Sequence, residues 1–281
     1  MLTIAVLLSG PHRRAMVETA LESVPLDSPL VSELLIRHQN GPWNWGADLR
    51  RKWEQHPKVR VLEFPDRVDF AQSYNRTFDA IKTPWAMLLP DDDFLVRPVA
   101  RAAFEAAFAQ PAVDQRGLLI FGWYYLKHQL YLHGHIKAQD LAGLMRQTPK
   151  FSSVLFNLRR VRELGGFPGD VGGLLDTALI GSLAYRFDAL ITNTPIGVYR
   201  MHTGQESAQK LPPQYVETLR HGLAGFARSE EERLAFEAML DNSTTGAGTL
   251  RGLVAEATFA LRSRTRPAPA PSKFQFRSWL Q

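Results

Sequence analysis

Cysteine is absent from the chain, which excludes disulfides, thiolate metal sites and cysteine nucleophiles and is compatible with a reducing compartment. No apolar stretch approaches the roughly 18 residues of a membrane-spanning helix. The N-terminal run Leu2 to Leu8 lacks a basic flank and a small-residue cleavage site, so it reads as a buried strand rather than a leader. Acidic residues nearly vanish at the other end, where Arg251, Arg262, Arg264, Arg266, Lys273 and Arg277 face Glu256 alone. The whole chain carries a net charge of +5, so the residues before 251 are close to neutral and a chain-wide basic field for nucleic acid is excluded. The cationic end suits an anionic membrane surface, and equally a solvated tail. Internal repeats are also missing. What remains is 281 residues, 45% apolar and 22% charged, the composition of a folded soluble protein with one large domain and an appendage, or with two domains.

Short apolar runs alternate with amphipathic segments through the first half. Strands are predicted at 3–8, 33–38, 59–64 and 85–89, and helices at 14–23, 47–55 and 70–81, a β-α-β-α-β-α-β series that implies a mostly parallel sheet flanked by helices. Such a sheet binds ligands beyond the carboxyl ends of its strands. After Asp93 the pattern changes to a helix at about 98–108, then two β-rich runs at 118–126 and 130–133 that form a hairpin. This second half is mixed, with a further helix at 174–185. Helical stretches at about 214–227, 230–240 and 249–261 form a C-terminal helical appendage. The run Arg266-Pro-Ala-Pro-Ala-Pro-Ser272 predicts an extended tail.

Three motifs carry chemistry. Asp91-Asp92-Asp93 stands where an apolar strand runs out, and in an extended segment Asp91 and Asp93 share a side. One or two carboxylates completed by substrate phosphates are the usual holder of Mg²⁺ or Mn²⁺. The competing reading is a solvated acidic turn. Next comes Gly165-Gly166-Phe167-Pro168-Gly169-Asp170, then Gly172-Gly173-Leu174-Leu175-Asp176 at a helix start. Glycines allow close backbone approach to a ligand, and Asp176 is held at the loop edge as a base, or as a plain complement to the helix dipole, which would keep it ionised. Third is Tyr199-Arg200-Met201-His202, directly after the apolar run 196–198, where Arg200 can pair with phosphate and His202 can serve a metal or a diphosphate oxygen.

In this order and spacing the motifs, with Asn75-Arg76 before the acid triplet, resemble the inverting glycosyltransferases of family 2 and their GT-A fold, over about residues 1–207. The resemblance implies a catalytic domain at 1–205, with a nucleotide-sugar half at about 1–95 and an acceptor half at about 96–205. The appendage at 206–262 and the basic tail at 263–281 fall outside that domain. It implies Asp93 as metal ligand with Asp91 and His202, and Mn²⁺ or Mg²⁺ as the cofactor. Asp91 and Asp92 then lie near sugar and ribose, and Ser9, Gly10, Asn40, Asn75 and Arg200 belong to the nucleotide-sugar site. Asp176 is the implied base, with Asp170 in reserve. The donor implied is a UDP-sugar, with dTDP- or GDP-sugars as alternatives. The acceptor is a glycan or lipid-linked hydroxyl in surface polysaccharide synthesis, at the cytoplasmic side of a membrane. Two departures stand out: the second strand ends Ile36-Arg37-His38-Gln39-Asn40-Gly41 where the family has a pair of acids, and Leu175 precedes Asp176 in place of a glutamate. An amide such as Asn40 both accepts and donates, so it can meet a base N–H.

His128, His133 and His135 could bind zinc, but no third ligand at suitable spacing is evident, and Tyr124, Tyr125 and Tyr131 favour packing or sugar stacking at an acceptor site. Trp43, Trp45 and Trp53 read as core or as a stacking platform. A nucleotidyltransferase is a poorer match, because Ser9-Gly10-Pro11-His12-Arg13-Arg14 is not a glycine-rich basic loop. A non-catalytic module that binds sugar nucleotides is the rival from another class.

Overall fold

The computed structural model describes residues 1–8, 13–39, 46–66, 68–127, 130–134, 149–168 and 175–202, together with Glu230 and Leu234. The predicted appendage and tail, and Ser9, Gly10, Asn40, Trp43, Trp45, His128, His135 and Asp170, otherwise lie outside these residues.

The chain begins β1 (Leu2–Leu7), α1 (Arg14–Glu22), β2 (Val31–Gln39), α2 (Ala47–Glu54), β3 (Val59–Phe64), α3 (Phe70–Ala80) and β4 (Trp85–Pro90). It continues β5 (Phe94–Leu95), α4 (Arg97–Phe108), β6 (Leu118–Lys127), β7 (Leu130–Gly134), β8 (Val154–Asn157), α5 (Leu158–Glu163), α6 (Leu175–Phe187) and β9 (Ala189–Arg200). One sheet runs β3-β2-β1-β4-β8-β6-β9-β5, with β7 paired to β6. The first four strands of that order are parallel, whereas β8 is antiparallel to both β4 and β6.

Every residue of β1 is buried, because helices cover both faces of the sheet. Alternation divides its side chains between two cores: Ile4 and Val6 face Val17, Leu21 and Trp53 of α1 and α2 and Phe104 of α4. Ala5 and Leu7 face the other side, with Phe78 of α3, Val161 of α5 and Leu179 of α6. Trp53 is thus core and not a stacking platform. Helix starts are fixed locally, by Asp69 accepting from the Gln72 N–H at 2.8 Å ahead of α3 and by Pro98 in the first turn of α4.

Predicted elements of the first half fall within two residues of those observed. The larger difference is β9, expected only as the apolar run 196–198 and observed over twelve residues. Its first part carries Thr192, Asn193, Thr194 and Pro195, which break the apolar pattern, and the register slips where Gly122 meets Pro195. Gly122 permits this approach, because a Cβ there would stand 2.7 Å from the Asn193 carbonyl oxygen.

Gly197 in β9 is pressed against the Ser152 carbonyl, so an added methyl would collide with backbone. Gly197→Ala is expected to cost about 1–3 kcal/mol as overpacking. Thermal denaturation should show the midpoint lowered by several degrees, on the order of 2–4 °C per kcal/mol.

Candidate active site

The acid triplet lies just past the carboxyl end of β4, where the chain turns: the Asp93 N–H donates to the Pro90 carbonyl at 3.1 Å. It is therefore not extended, and the expectation that Asp91 and Asp93 share a strand face gives way to a different pairing. Arg13, at the entry to α1, reaches Asp91 at 3.4 Å and Asp92 at 3.1 Å. His202 Nε2 meets the same Asp92 oxygen at 3.0 Å. Asp93 points elsewhere, accepting from Ser152 Oγ at 2.9 Å and from the Arg200 backbone N–H at 3.1 Å.

That last contact follows from the sheet. β5 pairs antiparallel with β9, Phe94 opposite Val198, which brings the residue before Phe94 against the end of β9. The Arg200 guanidinium lies over Phe94 at 4.8 Å and donates to the Met16 carbonyl at 3.3 Å, which joins α1 to the same corner.

Asp93 is 1% exposed. Burial, aided by the neighbouring Asp92, pushes its pKa up to about 8, against the opposing pull of Ser152 and Arg200.

Asp176 opens α6 and accepts from the Thr177 N–H at 2.7 Å and from Thr177 Oγ1 at 3.3 Å. Burial raises its pKa, while the Lys150 ammonium and the Thr177 donors work against that rise. The dipole argument from sequence, which favoured the ionised form, is outweighed by desolvation. Lys150 itself lies over the Tyr199 ring at 4.9 Å and the Tyr125 ring at 6.0 Å. Burial disfavours its charge, yet Tyr125, Tyr199, Asp176 and Asp93 hold its pKa above the ordinary value.

Asn75 is engaged by the protein's own backbone. Its amide donates to the Phe167 carbonyl at 2.9 Å and accepts from the Phe167 N–H at 2.7 Å, clamping the glycine turn to α3. Gly166 has φ +82°, and Asn75 Oδ1 fills the space a Cβ would need. Phe167 then packs among Tyr74, Phe78, Phe151 and Phe156.

At the end of β2, where the acids are missing, Arg37 is 3% exposed. Burial lowers its pKa to about 10, with Tyr74 opposing, and its guanidinium lies 5.7 Å from the Phe64 ring. Arg76 approaches the same ring at 5.8 Å.

The fold thus gathers Asp91, Asp92, Asp93, Arg200 and His202 at one corner and sets Asp176 in the first turn of α6. Among the described residues no group of three or more His, Asp or Glu side chains is arranged to hold a metal ion. Ser152 and Lys150 went unnoticed in the sequence, because residues 149–153 carry no motif and matter only through tertiary approach. Arg13 stands in the sequence only within the run Ser9-Gly10-Pro11-His12-Arg13-Arg14 after the first strand.

No family model and no curated protein matches this sequence. Solved structures do. Residues 1–349 of TarS from S. aureus, in complex with UDP-GlcNAc, superpose with a TM-score of 0.70 at 10% identity, over 87% of this chain and 74% of that one. The mannosyltransferase PcManGT from Pyrobaculum calidifontis, in complex with GDP-Man and Mn²⁺, gives 0.54 at 16% identity, over 99% of this chain and 82% of that one. The chain has a GT-A-like fold.

Since the Asp93 pKa stands above its ordinary 3.8, proton-linked stability is fully present below about pH 4 and lost as pH rises toward 8. Asp93→Asn keeps both hydrogen bonds, because Ser152 can reverse its hydroxyl. In EDTA at pH 8 this variant should melt a few degrees above wild type, by about 1 kcal/mol or more, and the gap should close by pH 4.

Proposed function

We propose that the protein is a glycosyltransferase that moves a sugar from a nucleoside diphosphate sugar to an acceptor hydroxyl, with inversion at the anomeric carbon. The observation that carries this reading is the buried Asp93, charged at a cost beside Asp92 at the carboxyl end of β4, within the same fold as Asp176. The bound nucleotide sugars of TarS and PcManGT, UDP-GlcNAc and GDP-Man, support a donor of this chemical class.

Asp93 and Asp91, with His202, are the residues proposed to hold a divalent cation that takes most of its ligands from a diphosphate. Asp93 is turned to Ser152 and the Arg200 N–H while His202 meets Asp92, so the three do not converge on one point. When bound, Mn²⁺ or Mg²⁺ supplies Lewis-acid neutralisation of the departing nucleoside diphosphate. Mn²⁺ in the PcManGT complex supports this choice. In the chain's own part of the reaction, Asp176 takes the proton of the acceptor hydroxyl. The acceptor oxygen bonds to the anomeric carbon, and the electron pair of the broken bond leaves on the diphosphate. Arg13 and Arg200 flank the acids and supply positive charge toward the phosphates.

The donor proposed is a UDP-sugar, with dTDP- and GDP-sugars as alternatives. The acceptor proposed is a glycan or lipid-linked alcohol of surface polysaccharide synthesis at the cytoplasmic face of a membrane, where the basic tail at 263–281 would meet anionic lipid. The absence of acids at the end of β2 favours one rival, a module that binds sugar nucleotides without turnover.

Nucleotide release from a panel of sugar nucleotides, with and without Mn²⁺ and candidate acceptors, tests the reading. Cation-dependent release supports it, and binding without release supports the rival. Asp176→Asn should lower kcat by roughly 10²- to 10⁴-fold, the usual worth of a general base. Wild-type transfer by that variant, with loss in Asp170→Asn, would move the base to Asp170.

A further inference from the structure

Of the three acids in the turn after β4, two already hold a cation that belongs to the chain. Arg13 Nη1 lies 3.4 Å from Asp91 Oδ1 and 3.1 Å from Asp92 Oδ2. All three side chains are largely withdrawn from water, Arg13 at 16% exposure, Asp91 at 2% and Asp92 at 15%. The sheet fixes this meeting: β1 and β4 run parallel with Leu7 opposite Pro90, so the segment leaving β1 passes beside the acids. Arg13 is the residue before α1, whose Val17, Ala20 and Leu21 are buried and whose Met16 carbonyl accepts from Arg200. A cation at a helix N-terminus is opposed by the helix dipole, so the acids, and not the helix, account for the place of this guanidinium. Its neighbour Arg14 turns away, to Glu18 at 3.0 Å and to Asp48.

We propose that Arg13 is a resident counter-cation of the acid triplet, which competes with a divalent cation for Asp91 and, when displaced, pairs with the donor diphosphate. This rests on the cation site and the donor class proposed above. With Asp91 and Asp92 turned to Arg13 and Asp93 to Ser152, the free protein is not set to receive a metal alone. A guanidinium and a metal ion drawn to the same carboxylate repel each other across a few ångströms, in a corner where water screens poorly. The ion pairs of Arg13 therefore oppose metal binding in the free protein. A diphosphate relieves that opposition, because its oxygens take the guanidinium in charge-assisted hydrogen bonds. Cation and nucleotide thus bind as a pair, each tightening the other by the same factor. His202, which meets the Asp92 oxygen that Arg13 also meets, keeps Asp92 held when the arginine departs.

Mn²⁺ titrated alone into the full chain, followed by its EPR signal near neutral pH and at low salt, tests the competition. Arg13→Gln removes the charge and should bind Mn²⁺ about tenfold more tightly than wild type, whereas loss of a merely structural arginine would weaken the site. Arg13→Met, which keeps the apolar stem, gives the same readout should the Gln variant not fold. Arg13→Lys keeps the charge and should stay near the wild-type affinity. Arg14→Gln changes the net charge equally from outside the site and should leave the affinity unchanged. The factor by which Mn²⁺ tightens UDP binding should fall about tenfold in Arg13→Gln, through linkage. An Mn²⁺ affinity unchanged or weaker in folded Arg13→Gln overturns the proposal, as does an equal gain in Arg13→Lys or Arg14→Gln. Absence of Mn²⁺ binding in wild type and Arg13→Gln alike overturns the proposal together with the metal-dependent reading. Tighter Mn²⁺ binding in a protein that turns over no sugar nucleotide supports the competition and overturns the glycosyltransferase reading instead.

Discussion

A carboxylate withdrawn from water is the constraint around which this molecule is arranged. Asp93 is retained in the interior by one hydroxyl and one backbone N–H, and each comes from a different part of the chain. Ser152 arrives on the segment before β8, and Arg200 is the last residue of β9. β5, only two residues long, has the task of pairing with β9 so that this N–H is in reach. The parallel half brings the acids to one corner by placing them after β4, and the antiparallel insertion of β8 brings the hydroxyl. Two donors reduce the cost of burying a charge without removing it.

The parallel half was legible in the sequence because its two periods are clean. β1, β2 and β4 are apolar runs of strand length, and α1, α2 and α3 repeat their apolar residues at helical spacing. β9 was legible only at Ile196 to Val198, since its opening half trades apolar residues for Thr192, Asn193 and Thr194 along a slipped register. β8 has four residues, too few for any pattern to stand out, though all are buried. The candidate site shows the same division. Asp91 to Asp93 and Asp176 announce themselves by local density of charge or glycine. Lys150 and Ser152 depend on chain segments meeting across the sheet, which periodicity does not encode.

The end of β2 shows a departure in sequence becoming a departure in chemistry. A strand end where the resembling family has acids instead buries a guanidinium, Arg37, and both Arg37 and Arg76 approach the Phe64 ring. Guanidinium groups donate and do not accept. That a GT-A-like fold persists with 10% identity to TarS shows how little of such an architecture resides in particular side chains.

The clamp between Asn75 and Phe167 of the glycine turn joins two positions 92 residues apart into one inheritable unit. While the amide occupies the hollow beside Gly166, no side chain can enter there, and if Asn75 were lost the hollow would open and the turn would lose its two hydrogen bonds. Drift at either site alone is thus penalised, and lineages descending from this protein should keep the pair or exchange both together.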